Sequence, residues 1–574
     1  MAYTDTYWNR SKREHYERLW SQLRTDRSSF DAHWQDLADY IAPKRVRFHS
    51  SDRNRGDKRA QRIIDSTARF SARTLQSGLH AGLTSPARPW FKLTTPDPKL
   101  AEFGPVKEWL HVVTQRMRDI FAQTNLYNVL PTVYGDLGIF GTAAMSLLRD
   151  SRDLFRAYAY PLGSYALGMD NRGMVTTFAR EYELTVRQTV EEFGLVAGTR
   201  TIDWGNLSPT VKTLWEKGNY ESPVPIVWVV SPNREYNPTR ALARYKRWAS
   251  CHFERVEPTS SGGRLLRESG FDTFPVMAPR WEVTGEDAYG TECPGMTALG
   301  DIRQLQGEQR EKGKAIAKMV NPPLAGPVAL RNQKTSLLPG DVTYVDVREG
   351  MQGLKSIHDV SLNVDHLLGD IRETQYRIQR AFFEDLFLML ARSDDTLGAD
   401  RPTAREVEER HEEKLLALGP VLERTNDELL DPAIDRTFDL MLREELLPPW
   451  PQELQGVKLR VEYTSIMAQA QKLVGVVGQD RFVSTVGSMV EAFPSIIHKI
   501  RIPQVVDNYA EMLGVDPRIV VPTEEAEAAE AAVRQQQEAA MAADIAQRGA
   551  RAAKDASQAD VDRADTVLSR ALAG

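Results

Sequence analysis

Two long stretches of helical pattern, separated by about forty residues, constrain the fold of this chain more than any other feature. The first is Met296–Val320, which ends at Asn321-Pro322-Pro323, and the second is Asn363–Leu390. At 1.5 Å per residue the first helix would be roughly 38 Å long. Between them, "LLPGDVTYVDV" predicts a turn and a strand. The sequence therefore predicts a matched helix pair that carries a small β-containing insert at its far end.

The region before this helix pair combines helices with strands. Helical patterns cover residues 1–42, 63–83 and about 105–148, whereas residues 155–294 are mostly strand-like. These patterns indicate an α+β fold. The length of 574 residues is enough for about three to five domains.

Two short helices are predicted within the strand-rich region from their end signals. Thr185 and Gln188 form a capping box, and Gly194 ends the helix that they begin. Ser208-Pro209 begins the second helix and Gly218 ends it. Both are therefore expected to be brief interruptions of a sheet.

The segment after Leu390 is predicted to be a polar loop followed by a very long helix. The loop covers residues 391–402, and a capping box at Thr403 and Glu406 begins a helix that continues to about Glu445. A short β segment, "VKLRVEYTS", and further helices follow. The last fifty-odd residues are rich in Ala, Glu and Gln, and such a sequence forms either a helical bundle or a disordered tail.

The helix predicted at residues 63–83 has an apolar side and a cationic side. Its apolar stripe is Ile64, Ala68, Leu75, Leu79 and Leu83, and a second stripe holds Arg62, Arg69, Arg73 and His80. The preceding segment, Lys44–Arg62, carries eight Lys or Arg against two Asp and predicts a solvated loop.

A proline-rich corner follows this helix. Pro86 and Pro89 stop the helix and fix an extended path, which directs Trp90 and Phe91 into a core. None of these residues is a nucleophile or a metal ligand. The corner is therefore predicted to be a structural joint.

Three glycines in "YGDLGIFGTAAM" leave two interpretations open. Gly135, Gly138 and Gly141 recur at three-residue spacing. Such glycines either allow another backbone to approach closely or line a loop. The sequence does not distinguish between these interpretations.

Composition limits the possible classes of protein. The net charge is −6, whereas a compact nucleic-acid reader is usually basic overall, so any DNA contact must be local. Two cysteines are too few for a disulfide scaffold. The N-terminus lacks a signal peptide, and the longest apolar run, Val224–Val230, is too short to span a membrane. These features predict a soluble protein made in a cytoplasm.

The motifs of common enzymes are missing or incomplete. "GEQREKGKA" (Gly307–Ala315) resembles a phosphate-binding loop, but its glycines are one residue too far apart and Ala315 replaces the hydroxyl. "HEEKL" (His411–Leu415) lacks the second histidine of a zinc motif, and Asp394-Asp395 is typical of a solvated loop. We therefore expect no catalytic residues, no metal and no cofactor.

The first long helix is rich in positive charge. It contains Arg303, Arg310, Lys312, Lys314 and Lys318 against three acidic residues. On one exposed helix this balance is unremarkable. Repeated around a ring, however, the same residues would form circles of positive charge that hold a polyanion at its phosphates without reading sequence.

Five motifs occur in a particular order along the chain. They are "RIIDSTARFSARTLQSGLHAGLTSPARPWFKL" (Arg62–Leu93), "YGDLGIFGTAAM" (Tyr134–Met145), "AYGTECPGMTALGDIRQLQ" (Ala288–Gln306), "NPPL" (Asn321–Leu324) and "LLPGDVTYV" (Leu337–Val345). Each motif alone is weak, but in this order the chain resembles the head-to-tail connector, or portal, proteins of short-tailed bacteriophages. The resemblance extends from about residue 5 to about residue 520.

The resemblance implies a ring, typically of twelve subunits, at one capsid vertex, with double-stranded DNA passing through its centre during packaging and ejection. It also implies a portal fold with a wing, a two-helix stem, a small α/β clip and a helical crown, followed by a helical barrel or a flexible tail. The corresponding segments are residues 1–295 and 403–459 (wing), 296–320 and 361–390 (stem helices), 321–360 (clip), 391–402 (channel loop), 460–520 (crown) and 521–574 (barrel or tail).

Partners and site residues also follow from the resemblance. The implied partners are further copies of this chain, the major capsid protein, a scaffolding protein, a terminase, a tail adaptor protein and double-stranded DNA without sequence specificity, with no membrane. The implied location is the portal vertex of the virion, after assembly in the host cytoplasm. The candidate DNA-channel residues are Arg303, Arg310, Lys312, Lys314, Lys318, Arg392 and Arg401, and the structural joint is Pro86, Pro89, Trp90 and Phe91.

Two other functions remain open at this point. One is a cytoplasmic nucleic-acid-processing ATPase that uses the near-match at Gly307–Ala315. The other is a virion structural protein without a DNA channel.

Overall fold

A computed structural model describes most of the chain before residue 468. The described residues are 12–49, 56, 59–196, 199, 201–255, 265–320, 324–325, 355–356, 364–392, 418–465 and 467, with isolated helical positions after 500. The chain divides into two compact units, residues 1–94 with 108–467 and residues 95–107 with 468–574. The first unit contains nearly all of the described structure.

The described residues form helices and strands in alternating groups. The helices are α1 (Lys12–Tyr40), α2 (Thr67–Leu83), α3 (Pro98–Glu102), α4 (Gly104–Gln123), α5 (Leu126–Phe140), α6 (Val186–Phe193), α7 (Pro209–Glu216), α8 (Pro294–Val320), α9 (Val364–Ala381), α10 (Glu384–Arg392) and α11 (Asp431–Arg443), the last preceded by a π-helical turn at Asn426–Leu430. The strands are β1 (Phe91–Thr94), β2 (Met145–Asp150), β3 (Leu154–Ala159), β4 (Tyr165–Met169), β5 (Val175–Thr185), β6 (Pro223–Pro232), β7 (Trp248–Glu254), β8 (Arg267–Phe271), β9 (Val276–Met277), β10 (Leu324–Ala325), β11 (Lys355–Ser356) and β12 (Arg460–Tyr463). The predicted α+β class is confirmed.

The largest sheet has five antiparallel strands in the sequential order β4-β5-β6-β7-β8. The Asp170–Gly173 turn joins β4 to β5, as its sequence predicts, and Gly173 adopts a φ of 76° there. A second sheet has the order β3-β2-β9, and the distant strands β1 and β12 pair with each other. Strands β10 and β11 also pair, but the rest of the predicted insert lies outside the described residues.

Helix α1 covers one face of the five-stranded sheet. Trp20 and Leu23 pack against Ala179, Val227 and Val229, which alternate with residues on the other face of β5 and β6. The helix predicted for residues 1–42 is confirmed from Lys12 to Tyr40. Because these apolar groups are removed from water together, α1 and the sheet share one core.

The two short helices of the strand-rich region begin and end as predicted. Thr185 accepts a hydrogen bond from the Gln188 backbone, and the Gln188 side chain bonds back to the Thr185 backbone. Ser208 caps α7, and Gly218 follows the end of that helix with a φ of 75°. Both helices pack with β6 around a small core of their own. Its buried members are Val186, Val190, Phe193, Leu207, Val211, Val224, Ile226 and Leu266.

The three glycines of α5 have two different roles. A Cβ atom at Gly138 would lie 2.5 Å from Leu75, and one at Gly135 would lie 2.8 Å from Gln76, so both glycines allow α2 to approach α5 closely. Gly141 ends α5 with a left-handed φ of 75°. The interpretation of close approach therefore applies to Gly135 and Gly138, whereas Gly141 ends the helix.

Three predicted features of the helices are wrong. Residues 145–150 form strand β2 because they pair with β3 and β9, although the helical region was predicted to continue to about 148. Ile64 lies before α2 and is exposed, since α2 begins only at Thr67. The second long helix is not continuous: Phe383, with a φ of 54°, separates α9 from α10.

The break at Phe383 follows from packing against α2. A Cβ atom at Gly78 would overlap the Phe387 ring, so only glycine leaves room for that ring on α2. Ser71 Oγ also donates to Glu384 Oε2 at 2.6 Å. A left-handed backbone conformation costs about 1–2 kcal/mol for a residue other than glycine. The packing of Phe387 against Gly78 and the hydrogen bond to Glu384 offset that cost at Phe383.

Glycine at position 295 generates a stability prediction for the start of α8. A Cβ atom there would overlap the Ile139 carbonyl, which cannot move without displacing the end of α5. We expect Gly295→Ala to lower the free energy of unfolding by about 1–3 kcal/mol, as overpacking does elsewhere. The measurement is urea unfolding followed by circular dichroism.

Gly300→Ala is the matched control in the same helix. Gly300 is exposed and no atom lies within 4 Å of its added Cβ, so alanine should raise stability by about 0.5–1 kcal/mol. Equal effects of the two substitutions would contradict the close approach of α8 to α5.

Candidate nucleic-acid interface

The first half of α8 is anchored in the body of the protein. Ala298, Leu299, Ile302 and Leu305 are buried, and the helix packs against α1, α5 and α9. At the start of α8, the Cys293 thiol donates to the Ile139 carbonyl at 3.3 Å. This half is therefore a fixed base for the residues that follow it.

A polar junction joins α8 and α9 to the residues just before α2. Gln306 Oε1 accepts hydrogen bonds from the Ile64 and Asp65 backbones at 2.6 and 2.8 Å. Asp65 Oδ2 accepts from Gln309 at 3.0 Å and from Gln375 at 2.9 Å. A single carboxylate thus binds both long helices at once.

The carboxyl of Asp65 is held in its ionised form. Partial burial alone would raise its pKa, but hydrogen bonds from Thr67, Gln375 and Gln309 together keep the pKa below its ordinary value. An ion pair between Arg377 and Asp301, with N and O 3.6 Å apart, adds a second link between α9 and α8.

The second half of α8 is mostly exposed within the subunit. Arg310, Lys314 and Lys318 recur at four-residue spacing, so they share one face of the helix, while Lys312 lies on another face and is partly buried. Lys314 donates to Glu311 at 2.7 Å and lowers the pKa of that carboxyl. Exposure rises toward the helix end, where Val320 is 81% exposed.

The other candidate channel residues are placed differently. Arg303 leaves the anchored half of α8, forms an ion pair with Asp36 at 2.5 Å and lies over the ring of Tyr40. Arg392 is the last residue of α10, and Arg401 lies outside the described residues. Of the predicted set, Arg310, Lys314 and Lys318 are thus the residues that the fold brings onto one exposed face.

The predicted joint has the expected arrangement of buried and exposed residues. Pro86 and Pro89 are exposed, whereas Trp90 and Phe91 are 2% and 1% exposed. The Trp90 indole donates to the Tyr127 hydroxyl at 3.0 Å and stacks on Phe121. Directly after the prolines, β1 pairs with β12, so the corner also joins residues that are far apart in sequence.

One cation of the predicted solvated loop is instead part of a buried ion pair. Arg45 Nε donates to Asp136 Oδ1 at 2.8 Å, and a second bond joins the same side chains. Asp136 is buried in α5, and its desolvation raises the pKa of its carboxyl despite the attraction of Arg45. The expectation of a wholly solvated loop is wrong at Arg45, because the start of that loop passes over α5.

Sequence reasoning missed the junction around Asp65. The available signal was the pair Gln306 and Gln309, which continues the otherwise apolar face of α8 at helical spacing. Their partner, Asp65, lies 241 residues before Gln306, and Gln375, which binds the same carboxylate, lies 310 residues after Asp65, so no local pattern connects them. Amides on a buried helix face indicate that a polar partner is needed.

The near-match to a phosphate-binding loop lies in the middle of α8. Residues 307–315 are helical throughout, so their backbone N–H groups bond within the helix and do not form a phosphate cradle. Among the described residues, no group of three or more His, Cys, Asp or Glu side chains could hold a metal ion. No helix in the described part of the chain is long and apolar enough to cross a membrane.

Comparison with known proteins gives a consistent family. The family model described as "Bacteriophage head to tail connecting protein" matches residues 13–520. The chain is 45% identical over 541 residues to the "Portal protein" of Salmonella phage epsilon15, a match that covers 94% of each chain. It is 42% identical over 557 residues to the "Probable portal protein" of Bordetella phage BPP-1, covering 97% of each.

A solved structure is also similar to part of the chain. A chain from the virion of a native gene transfer agent particle matches 79% of this chain and 95% of its own length. The sequence identity is 9% and the TM-score is 0.34, a level at which the likeness does not define a shared fold.

The Asp65 junction generates a prediction on pH. Because the folded-state pKa of Asp65 is depressed, its ionised form stabilises the fold above the ordinary value of 3.8, and this contribution is lost as the pH falls through the lower folded-state pKa. We expect Asp65→Asn to be less stable than wild type at pH 5–7. The difference should shrink as the pH falls below that ordinary value, and urea unfolding at several pH values measures it.

Asp153→Asn is the control for general effects of acid. Asp153 is exposed in the β2–β3 turn, so its removal should have little effect on stability at any of these pH values. A stability difference for Asp65→Asn that stays constant down to pH 2 would contradict the role of the charge.

Proposed function

The chain belongs to the family of bacteriophage head-to-tail connecting proteins, and we propose that it acts as the portal of a tailed phage. In this role copies of the chain form a ring at one capsid vertex, and the ring provides the channel for double-stranded DNA in packaging and ejection. The role is structural and not enzymatic. The observation that carries the proposal is the 45% identity to the epsilon15 portal protein over 94% of both chains.

The proposed architecture assigns a mechanical role to each part of the chain. Residues 1–295 and 403–459 form the wing, and residues 296–320 and 361–390, which contain most of α8 and all of α9, form the stem. Residues 321–360 form the clip, 460–520 the crown and 521–574 a barrel or tail. The loop predicted at 391–402 begins later, because residues 391 and 392 belong to α10, and its remaining residues would face the channel. The packing of α8 on α9 and their common attachment to Asp65 support the assignment of the stem.

The charge distribution of α8 suits a channel that DNA must pass through. A ring of twelve copies would repeat the face of Arg310, Lys314 and Lys318 around the axis. Such a belt contacts phosphates without reading bases. The contact between the belt and the DNA must be weak, because a tightly binding belt would stall moving DNA. The ion pair of Lys314 with Glu311 weakens it by reducing the net positive charge of the belt.

The proposed partners act at different stages of assembly. Major capsid and scaffolding proteins would surround the wing, and a terminase followed by a tail adaptor protein would bind the clip. The assembled protein lies in the virion at the connection of head and tail, after assembly in the host cytoplasm.

The alternative of a nucleic-acid-processing ATPase is not favoured. Its candidate nucleotide site, Gly307–Ala315, is continuous helix. The remaining alternative is a virion protein without a channel. Its oligomer, viewed along the axis, would lack the central opening of a portal ring.

Electron microscopy of the purified oligomer tests the proposed function. We expect top views of a closed ring with a central opening, and no ATP hydrolysis by the same sample. Protein taken from virions is the stricter sample, because its subunits have already assembled in their natural setting. A closed oligomer without an opening, or ATP turnover abolished by Lys314→Ala, would show that the protein is not a simple portal.

The lysines of α8 generate a prediction on DNA. We expect the combined variant Lys312→Ala, Lys314→Ala and Lys318→Ala to assemble normally but to alter DNA packaging or retention. It removes Lys314 and Lys318 from the exposed face that is proposed to line the channel, and Lys312 from another face of the same helix. The measurement is packaged DNA length and retention across a salt series, where loss of phosphate contacts reduces the dependence on salt.

A charge-matched control separates a channel effect from an effect of net charge. Arg187, Lys212 and Lys217 are exposed on or beside α6 and α7, and replacing all three by alanine removes the same charge. Unchanged DNA retention in the lysine variant, or equal changes in both variants, would reduce Lys312, Lys314 and Lys318 to ordinary helix charges.

A further inference from the structure

Helix α2 presents a cationic surface that has no partner among the described residues of the subunit. Arg69, Phe70 and Arg73 lie on one side of the helix, and Phe70 is 61% exposed. Neither Arg69 nor Arg73 forms a hydrogen bond or ion pair with any residue that the structure describes. These three residues are called the α2 surface below.

The α2 surface borders an open cavity with an excess of positive charge. The cavity has a volume of about 850 Å³ and is lined by Arg69 and Arg73, by the segment that follows α1 (residues 41–45) and by α5. The acidic group in its wall, Asp136, is already bound by Arg45. An occupant of this cavity would therefore need to carry negative charge.

Helix α11 presents a surface of opposite character. Asp435, Asp439 and Leu442 share one side of the helix, and Leu442 is 48% exposed. Neither aspartate has a hydrogen bond or ion pair with a described residue. Arg443, one turn beyond Asp439, is bound to Asp272 instead. Asp435, Asp439 and Leu442 are called the α11 surface.

The aspartates of the α11 surface repel one another in the single subunit. Desolvation, followed by the charges of Asp431 and Asp439, raises the pKa of Asp435 to about 6, although much of its side chain is exposed. Asp431 is bound by the Tyr463 hydroxyl, which does not neutralise its charge. A cation placed beside Asp435 would relieve this repulsion.

From these two surfaces we propose that the α2 surface of one subunit binds the α11 surface of the next subunit in the ring. Arg69 and Arg73 pair with Asp435 and Asp439, and Phe70 packs beside Leu442. The two positive charges of the α2 surface thus match the two negative charges of the α11 surface, and each surface covers the exposed apolar side chain of the other. The inference rests on the proposed function, since it names the contact that closes the portal ring.

A neighbouring subunit suits the α2 surface better than DNA does. Phosphates would satisfy Arg69 and Arg73, but they offer no apolar group to cover Phe70, whereas Leu442 does. The two surfaces are also different patches of the same chain, so their contact is head-to-tail. Repetition of a head-to-tail contact generates a closed ring when the rotation between subunits is suitable.

Two charge reversals test the contact. In Arg73→Glu rings every interface would place glutamate against Asp435, and in Asp435→Lys rings every interface would place lysine against Arg73. We expect each variant alone to lower the subunit association constant about ten-fold or more, because like charges face each other. Sedimentation velocity and negative-stain microscopy measure the fraction of rings, and circular dichroism checks the fold.

Mixing the two variants makes the test specific to a contact between subunits. In an alternating ring the introduced glutamate of one variant faces the introduced lysine of the other at one interface. At the next interface Arg73 faces Asp435, so all contacts in an even-numbered ring become attractive. We therefore expect an equimolar mixture of Arg73→Glu and Asp435→Lys proteins to form rings that neither forms alone. The double variant Arg73→Glu with Asp435→Lys should also regain association.

The controls are reversals at exposed residues without partners among the described residues. Lys217→Glu and Glu191→Lys change the charge equally on α6 and the end of α7, and both should assemble like wild type. Normal rings in Arg73→Glu, or rescue by the double variant without rescue by mixing, would overturn the proposed contact.

Other outcomes separate this inference from the function on which it rests. If Arg73→Glu rings are normal but lose DNA, the α2 surface binds phosphate and the subunit contact is wrong, while the portal function stands. If wild-type protein forms no ring even when it is taken from virions, the portal function fails and the proposed contact fails with it.

Discussion

The carboxylate of Asp65 holds the two long helices together at the start of α2, and the position of each candidate DNA contact on α8 depends on this junction. Gln309 from α8 and Gln375 from α9 both donate to it, while Gln306 accepts from the backbone of residues 64 and 65. A partly buried carboxylate that accepts several hydrogen bonds is costly to leave unpaired. The junction therefore fixes the spacing and rotation of α8 and α9 in a way that apolar packing alone would not.

Helix α2 connects this junction with the rest of the first unit. Gly135 and Gly138 allow α5 to approach it on one side, and Gly78 accommodates Phe387 of α10 on another. Because these approaches need glycine, the helices cannot slide past one another without overlap of side chains. A rigid base of this kind would suit the proposed channel, in which the exposed half of α8 keeps its charges in place while DNA moves past it.

The division of α8 into an anchored and an exposed half relates the fold to the function. The anchored half has its apolar residues buried and Arg303 bound to α1, whereas the exposed half leaves Arg310, Lys314 and Lys318 on one face. A single monomer would gain little from a long exposed helix, since helical stability comes mostly from packing of an apolar face. In the proposed ring, neighbouring copies would supply the missing surface.

The sequence by itself determined the features that depend on local chemistry. The caps of α6 and α7, the extent of α8, the burial of Trp90 and Phe91 and the family were all predictable, because end signals, periodicity and an ordered set of motifs lie along the chain. The tertiary structure alone decided the strand at Met145–Asp150, the break at Phe383 and the partners of Arg45 and Asp65. In three of these cases the deciding partner lies far away in sequence: α2 for the helix after Phe383, Asp136 for Arg45 and Gln375 for Asp65. Strand β2 pairs along its length with the neighbouring β3 and at Met145 and Ser146 with the distant β9. Contacts of that kind override local propensity because the free energy gained by packing or by pairing a buried polar group exceeds the small preference of a residue for one backbone conformation.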